Sequence, residues 1–148
     1  MDNELIRIAS ENDLPALITL YSELNPSDDL SDSGKIESTL RIILNSSFFN
    51  LFVLEANGKL VSSCYLNIIP NLSRDCRPYA VIENVITLIE YRKHGFGKKV
   101  MQHAIDYAKA QGCYKVMLLT GRKDPSVHSF YQSLGFDGSS KTGYQIRF

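Results

Sequence analysis

The chain has 148 residues, 44% of them hydrophobic and 22% charged, with 16 basic against 16 acidic side chains and therefore no net charge at pH 7. A chain of this size suits one domain that buries roughly 68–70% of its unfolded surface, and the balanced charge argues against nucleic acid as the main partner, because such binders carry a basic excess. No apolar run approaches the ~20 residues that span a bilayer; Met1-Asp2-Asn3-Glu4 lacks a signal-peptide pattern; and the three widely spaced cysteines (Cys64, Cys76, Cys113) suggest no metal site or disulfide framework but a reducing cytoplasm.

In chain order, Leu5–Ile8 is a short strand candidate. Asp13 caps a helix with Pro15 in its first turn, in which Leu14, Leu17, Ile18, Tyr21 and Leu24 share one face until Asn25-Pro26 stops it. A polar loop with Asp28, Asp29 and Asp32 leads to a second helix over about 34–45. Asn50–Ala56 and Lys59–Ile69 read as a hairpin, joined by the Asn57-Gly58 pair that a type I′ turn prefers. After a loop carrying Arg74 and Arg77, Tyr79–Ile89 is a long apolar strand interrupted by Glu83, Asn84 and Thr87. Val100, Met101, Ala104, Ile105 and Ala108 form a helical stripe ending at Gly112. Tyr114–Thr120 reads as a buried strand, Asp124-Pro125 opens a helix that Gly135 stops, and two short strands are expected before Phe148. The order β-α-α-β-β-β-α-β-α-β-β describes one mixed α/β (α+β) domain over residues 1–148.

The chemistry concentrates between the long strand and the next helix, at Arg92-Lys93-His94-Gly95-Phe96-Gly97-Lys98-Lys99. A glycine turn opening a helix presents free N–H groups and partial positive charge, so it suits phosphate. Four cations crowd this end, which a bound polyanion would explain. A dinucleotide fingerprint fails because Val100 holds the place of its third small residue; a Walker loop fails because Arg92 and Lys99 hold the places of a glycine and of Ser/Thr. The third pattern, R/Q-x-x-G-x-G/A directly after a strand, is met in full by Arg92 to Gly97.

With that loop, with Val81–Thr87 before it and with Phe130-Tyr131-Gln132-Ser133-Leu134-Gly135-Phe136 after it, the chain resembles the GNAT family of N-acetyltransferases over its whole length. The resemblance implies a central twisted mixed sheet of about six to seven strands flanked by about four helices. It implies acetyl-CoA as cosubstrate, without a metal, and a small-molecule primary amine as acceptor. Arg92, Lys93, His94, Gly95, Phe96, Gly97 and Lys98 would then hold the pyrophosphate, and the backbone of Val85, Ile86 and Thr87 the pantetheine. Tyr131 would protonate the departing thiolate, although its place in a helical apolar stripe also suits a core residue. Glu83, a carboxylate in an apolar strand, would act as general base, directly or through water, or else bond a neighbour. Where some relatives have an assisting asparagine, this chain has Asp124, which reads as a helix cap.

By the same resemblance the acceptor is expected between Asp28 and Asp29, attracting an ammonium, and Arg74 and Arg77, clamping an anionic group, with solvated loop charge as the alternative reading of all four. Ile82-Glu83-Asn84-Val85 is similar to glucosamine-6-phosphate acetyltransferases, and aminoalkylphosphonate acetyltransferases are relatives of the same type. A homodimer through the C-terminal strands also follows from the resemblance. A CoA-binding sensor without turnover is the alternative, as is a nucleoside-triphosphate binder.

Overall fold

The computed structural model describes residues 3–148. Five strands, β1 (Glu4–Ile8), β2 (Phe49–Ala56), β3 (Lys59–Ile69), β4 (Tyr79–Thr87) and β5 (Val116–Met117), form one sheet among the described residues, in the order β1-β2-β3-β4-β5. The first four pair antiparallel and β5 joins β4 in parallel. Helices α1 (Leu14–Leu24) and α2 (Ser33–Leu44) cover one face; α4 (Phe96–Ala110) covers the other, with α5 (Pro125–Gln132) packed beside it. The remaining element, α3 (Ser73–Cys76), is a single turn in which Arg74, Asp75 and Cys76 all have left-handed φ of 56°, 57° and 59°.

Local chemistry accounts for most of these elements. Asn57 and Gly58 have φ of 50° and 80°, as a type I′ hairpin requires. Asp32 caps α2 by accepting the Lys35 N–H at 3.0 Å. On α4, Val100, Met101, Ala104 and Ala108 are fully buried against Phe52, Leu66 and Ile82. Burial of side chains the size of Val100 and Met101 stabilises by about 1.5–3 kcal/mol each. A second core gathers Leu17, Leu20 and Leu40 against Leu51, Val53, Ile86 and Leu88. At the start of the chain Arg7 grips Asp13 with two bonds of 2.7 and 2.9 Å and fixes the entry to α1.

One irregularity positions everything that follows. Tyr65 pairs with Glu83 and Ser63 with Ile86, so Cys64 alone faces both Asn84 and Val85. This is a β-bulge, and Asn84 takes the left-handed conformation (φ 53°) that asparagine tolerates. The extra residue switches faces: Ile82 lies in the core under α4, whereas Ile86 lies in the core under α1.

The sheet is smaller than the expected six to seven strands. The strand expected over Tyr114–Thr120 is reduced to Val116–Met117, because β4 offers β5 only Ala80 and Val81 before the bulge bends it away. The two strands expected before Phe148 do not form: 137–148 runs without a ladder, starting from a turn in which Asp137 accepts Ser139 N–H at 2.9 Å. The long strand also ends early, at Thr87, and Ile89–Tyr91 form a 3-10 turn.

Candidate active site

Where β4 and β5 part, a cleft of about 820 Å³ opens. Its walls are β4 from Ile82 to Thr87, the segment Tyr91–Lys93, the first turn of α4, the run Leu118–Arg122 and the inner face of α5, with Glu23, Leu24 and Asn25 at its end. Beyond Val81 the β5-facing edge of β4 has no strand partner among the described residues. Backbone N–H and C=O groups on such an edge can pair with an extended ligand. Tyr21 of α1 lies near the Asn84 side chain, whose influence lowers its phenol; burial outweighs that and pushes the phenol up to about 12.

The glycine loop needs its glycines for two different reasons. Gly95 caps α4 with φ 84°, a left-handed conformation costly for other residues. At Gly97 an added Cβ would lie 3.1 Å from Thr87 Oγ1 and 3.7 Å from the Phe130 ring, so any larger residue would press on Thr87 where the helix starts close to β4. The first intrahelical bond is Lys99 N–H to Gly95 O (3.0 Å), which leaves the N–H groups of Phe96, Gly97 and Lys98 without helical acceptors. Thr87 is fixed in turn by Ser62, whose hydroxyl lies 2.8 Å from Thr87 Oγ1 and 3.0 Å from Ile86 O. The cradle therefore fits a pyrophosphate: free donors, no Cβ in the way and cations at the rim.

The cations are fewer than the sequence suggests. Lys99 turns away to Glu4 at 2.6 Å, and Arg92 Nε donates to Thr87 O at 3.1 Å. Lys93 and Lys98 remain exposed on the cleft wall, Lys93 with φ 66°. His94 stacks on Phe96 with ring centres 6.0 Å apart and is not part of the wall, while the Phe96 ring is buried in the core.

Tyr131 lies half-buried on the cleft wall, edge-on to Phe130 and Phe136. It is thus both a packed residue and a cleft residue. Burial raises its phenol above the ordinary 10.0; the nearby charge of Arg122 lowers it and that of Glu83 raises it. Glu83 also lines the cleft, but it is exposed rather than buried in the strand, because the parting of β4 and β5 opens its surroundings. Asp124 acts as the expected cap of α5, accepting Ser126 N–H at 2.9 Å.

The acceptor residues named from sequence are not gathered here. Arg77 donates to the carbonyls of Gly112 and Cys113, both at 3.3 Å, and so closes the turn after α4; Arg74 lies over the Tyr114 ring at 5.8 Å. Both precede Tyr79, at the opposite end of β4 from the glycine loop, and neither lines the cleft. Asp28 and Asp29 follow the cleft residue Asn25 in an exposed loop where Asp29 accepts Ser31 N–H, outside the wall itself. Sequence reasoning missed Glu23, which accepts Ile89 N–H at 2.8 Å and ties α1 to the turn after β4. It also missed Arg122, whose only sequence signal was its place between a strand and a capped helix.

The sequence profile of the acetyltransferase (GNAT) family matches residues 14–136. The chain belongs to the GNAT acetyltransferase family. It is an acetyl-CoA-dependent N-acetyltransferase with a mixed α/β GNAT fold. Glucosamine 6-phosphate N-acetyltransferase of Trypanosoma brucei brucei is 29% identical over 133 residues, covering 88% of this chain and 87% of that protein. The Arabidopsis thaliana protein of the same name is 33% identical over 88 residues, 58% of this chain and 56% of its own length. A solved Agrobacterium tumefaciens C58 protein described as an acetyltransferase is 48% identical and superposes with a TM-score of 0.93, covering 97% of this GNAT chain and 99% of the other. Among the described residues no helix is long and apolar enough to cross a membrane.

Proposed function

We propose that this acetyltransferase moves the acetyl group of acetyl-CoA to the primary amine of a small anionic metabolite, with an amino-sugar phosphate as the leading acceptor. The observation that carries the donor half is the cleft between β4 and β5, with the cradle at Gly95–Lys98 at one end and Tyr131 on its wall. The names of the trypanosomal and plant relatives support the acceptor half. In this reading the N–H groups of Phe96, Gly97 and Lys98, with Arg92 and Lys93, hold the pyrophosphate, and the open edge at Val85, Ile86 and Thr87 pairs with the pantetheine arm. Acetyl-CoA supplies the activated acyl group. Glu83, directly or through water, takes a proton from the acceptor's ammonium so that the free amine attacks the thioester carbonyl, and the nitrogen's second proton leaves to solvent as the amide forms; Asp28 and Asp29, in the exposed loop beyond Asn25, draw the cation in. Tyr131 gives its proton to the sulfur as the C–S bond breaks, and its raised affinity for that proton keeps the phenol protonated at working pH.

One N-acetyltransferase domain over 1–148, working in the reducing cytoplasm, is part of the proposal; it is supported by two cores that share one sheet and by three free thiols. So is a homodimer. Tyr144 and Ile146, at 92% and 83% exposure, alternate with Gln145 and Arg147 and end in the fully exposed Phe148, a strand-like pattern that a second copy would cover. Sedimentation equilibrium that finds only monomer at micromolar concentration removes the dimer. The activity is tested by thiol release from acetyl-CoA against a panel of amines that includes glucosamine 6-phosphate, glucosamine and aminoalkylphosphonates. Turnover is expected with a phosphorylated or phosphonylated amine, and no thiol release with any amine defeats the reading.

A further inference from the structure

The wall of the cleft opposite the glycine loop carries its own cation. Arg122 closes the run Leu118–Arg122 and lines the cleft on the β5 side, across from β4. Its backbone is pinned at both ends: its N–H donates to Thr120 Oγ1 at 3.2 Å, and its carbonyl lies 3.0 Å from His128 Nε2 on α5. Two residues later the Asp124 cap, accepting Ser126 N–H at 2.9 Å, anchors the same loop to α5. The loop is therefore held in place on the helix that carries Tyr131, and the exposed His128 and Asp124 have their structural work there.

The Arg122 side chain has no such work. Among the described residues no hydrogen bond or ion pair engages its guanidinium, whereas Arg7, Arg41, Arg77 and Arg92 all bond protein acceptors. It stands near Tyr131, close enough for its charge to act on the phenol, as that of Glu83 also does. A guanidinium on a fixed loop, unpaired and facing a cleft, is suited to bidentate recognition of an anionic group with two or more oxygens in one plane.

We propose that Arg122 is a specificity-determining residue that receives a phosphate monoester of a ligand bound in the cleft, the role that sequence alone gave to Arg74 and Arg77. This rests on the acetyltransferase reading of the same cleft. Two ligands carry such a group there: the ribose phosphate of CoA and the phosphate of a phosphorylated amine acceptor.

The test measures equilibrium binding by calorimetry to wild type, Arg122→Gln and Arg122→Lys. The probes are two matched pairs: CoA with dephospho-CoA, and glucosamine 6-phosphate with glucosamine, the second pair titrated into CoA-loaded protein. Loss of a charge-assisted contact is expected to weaken one phosphorylated ligand about tenfold or more in Arg122→Gln, leaving its unphosphorylated partner within about twofold. Arg122→Lys should recover part of the loss. The pair that responds identifies the source of the phosphate. Equal loss within both pairs, or no loss in either, overturns the assignment while leaving the acetyltransferase reading intact. Absence of CoA binding to wild-type protein defeats that reading instead, and this inference with it.

Discussion

Two turns of this protein contain the same ingredients and do opposite things. The turn at 74–77 has two arginines and three consecutive left-handed residues; the turn at 92–98 has Arg92, Lys93 and Lys98 with left-handed Lys93 and Gly95. In the first, Arg77 spends its donors on the carbonyls of Gly112 and Cys113, and Arg74 rests on Tyr114. In the second, the helix that follows leaves three backbone N–H groups open to a cleft. Positive charge and unusual backbone therefore do not make a binding site. What distinguishes the second turn is its place, where two strands diverge and a helix begins.

That contrast can be attacked from its strongest point downward. Replacing Tyr131 with phenylalanine, on the cleft side, should lower kcat by about 100-fold or more at unchanged KM for acetyl-CoA, in a thiol-release assay; a drop within threefold would make Tyr131 a packing residue only. Gly97→Leu should weaken CoA binding by about 10–100-fold by calorimetry, because the new side chain must displace Thr87 and Phe130. Arg77→Ala, on the other side of the contrast, should cost about 1–2 kcal/mol in denaturant unfolding and leave CoA and acceptor affinity alone. A rise in acceptor KM for that variant would erase the distinction between the two turns.

The smallest effect is in the pH profile. Tyr131 holds its proton above pH 10.0, chiefly through burial, so the alkaline limb of kcat should lie above that value. Glu83→Gln should move the limb down and Arg122→Gln up, following the signs of their charges on the phenol. By the same linkage, the phenol's contribution to stability is present below its unfolded value and lost as pH rises through the higher folded one.

Much of this was legible in the residues. The stripe on α4, the cap at Asp124 and Asn57-Gly58 depend on chemistry within a few positions, so the sequence shows them directly. So does the glycine loop, whose requirement for glycine is local at Gly95. Asp13, by contrast, expected to cap α1, makes no cap bond to it and pairs with Arg7 instead. The rest depends on partners far along the chain. Lys99 looks like a phosphate ligand until Glu4, at the other end of the sequence, takes it. Arg77 looks like an anion clamp until the carbonyls after α4 arrive. The pattern of Tyr144, Ile146 and Phe148 is that of a strand, but a strand needs an edge to pair with, and β5 contributes only two residues to the sheet. Glu83 was expected to be buried because its neighbours are apolar, and only the opening of β4 from β5 exposes it.

The bulge at Asn84 works as a phase shift of one residue in a code otherwise counted in twos. Before it, even-numbered positions of β4 face α4; after it, odd-numbered ones do, which is why Thr87 and not Ile86 meets Gly97. Glu83 and Thr87, four apart and nominally on the same side, are thereby delivered to opposite sides of one strand. A single-residue deletion at this point would remove the bulge yet leave the carboxylate and the hydroxyl three apart, still on opposite faces; only flattening the bulge at full length would send both to one face. The distance between proton chemistry and phosphate chemistry in this cleft is thus set by counting, through one residue whose side chain takes part in neither.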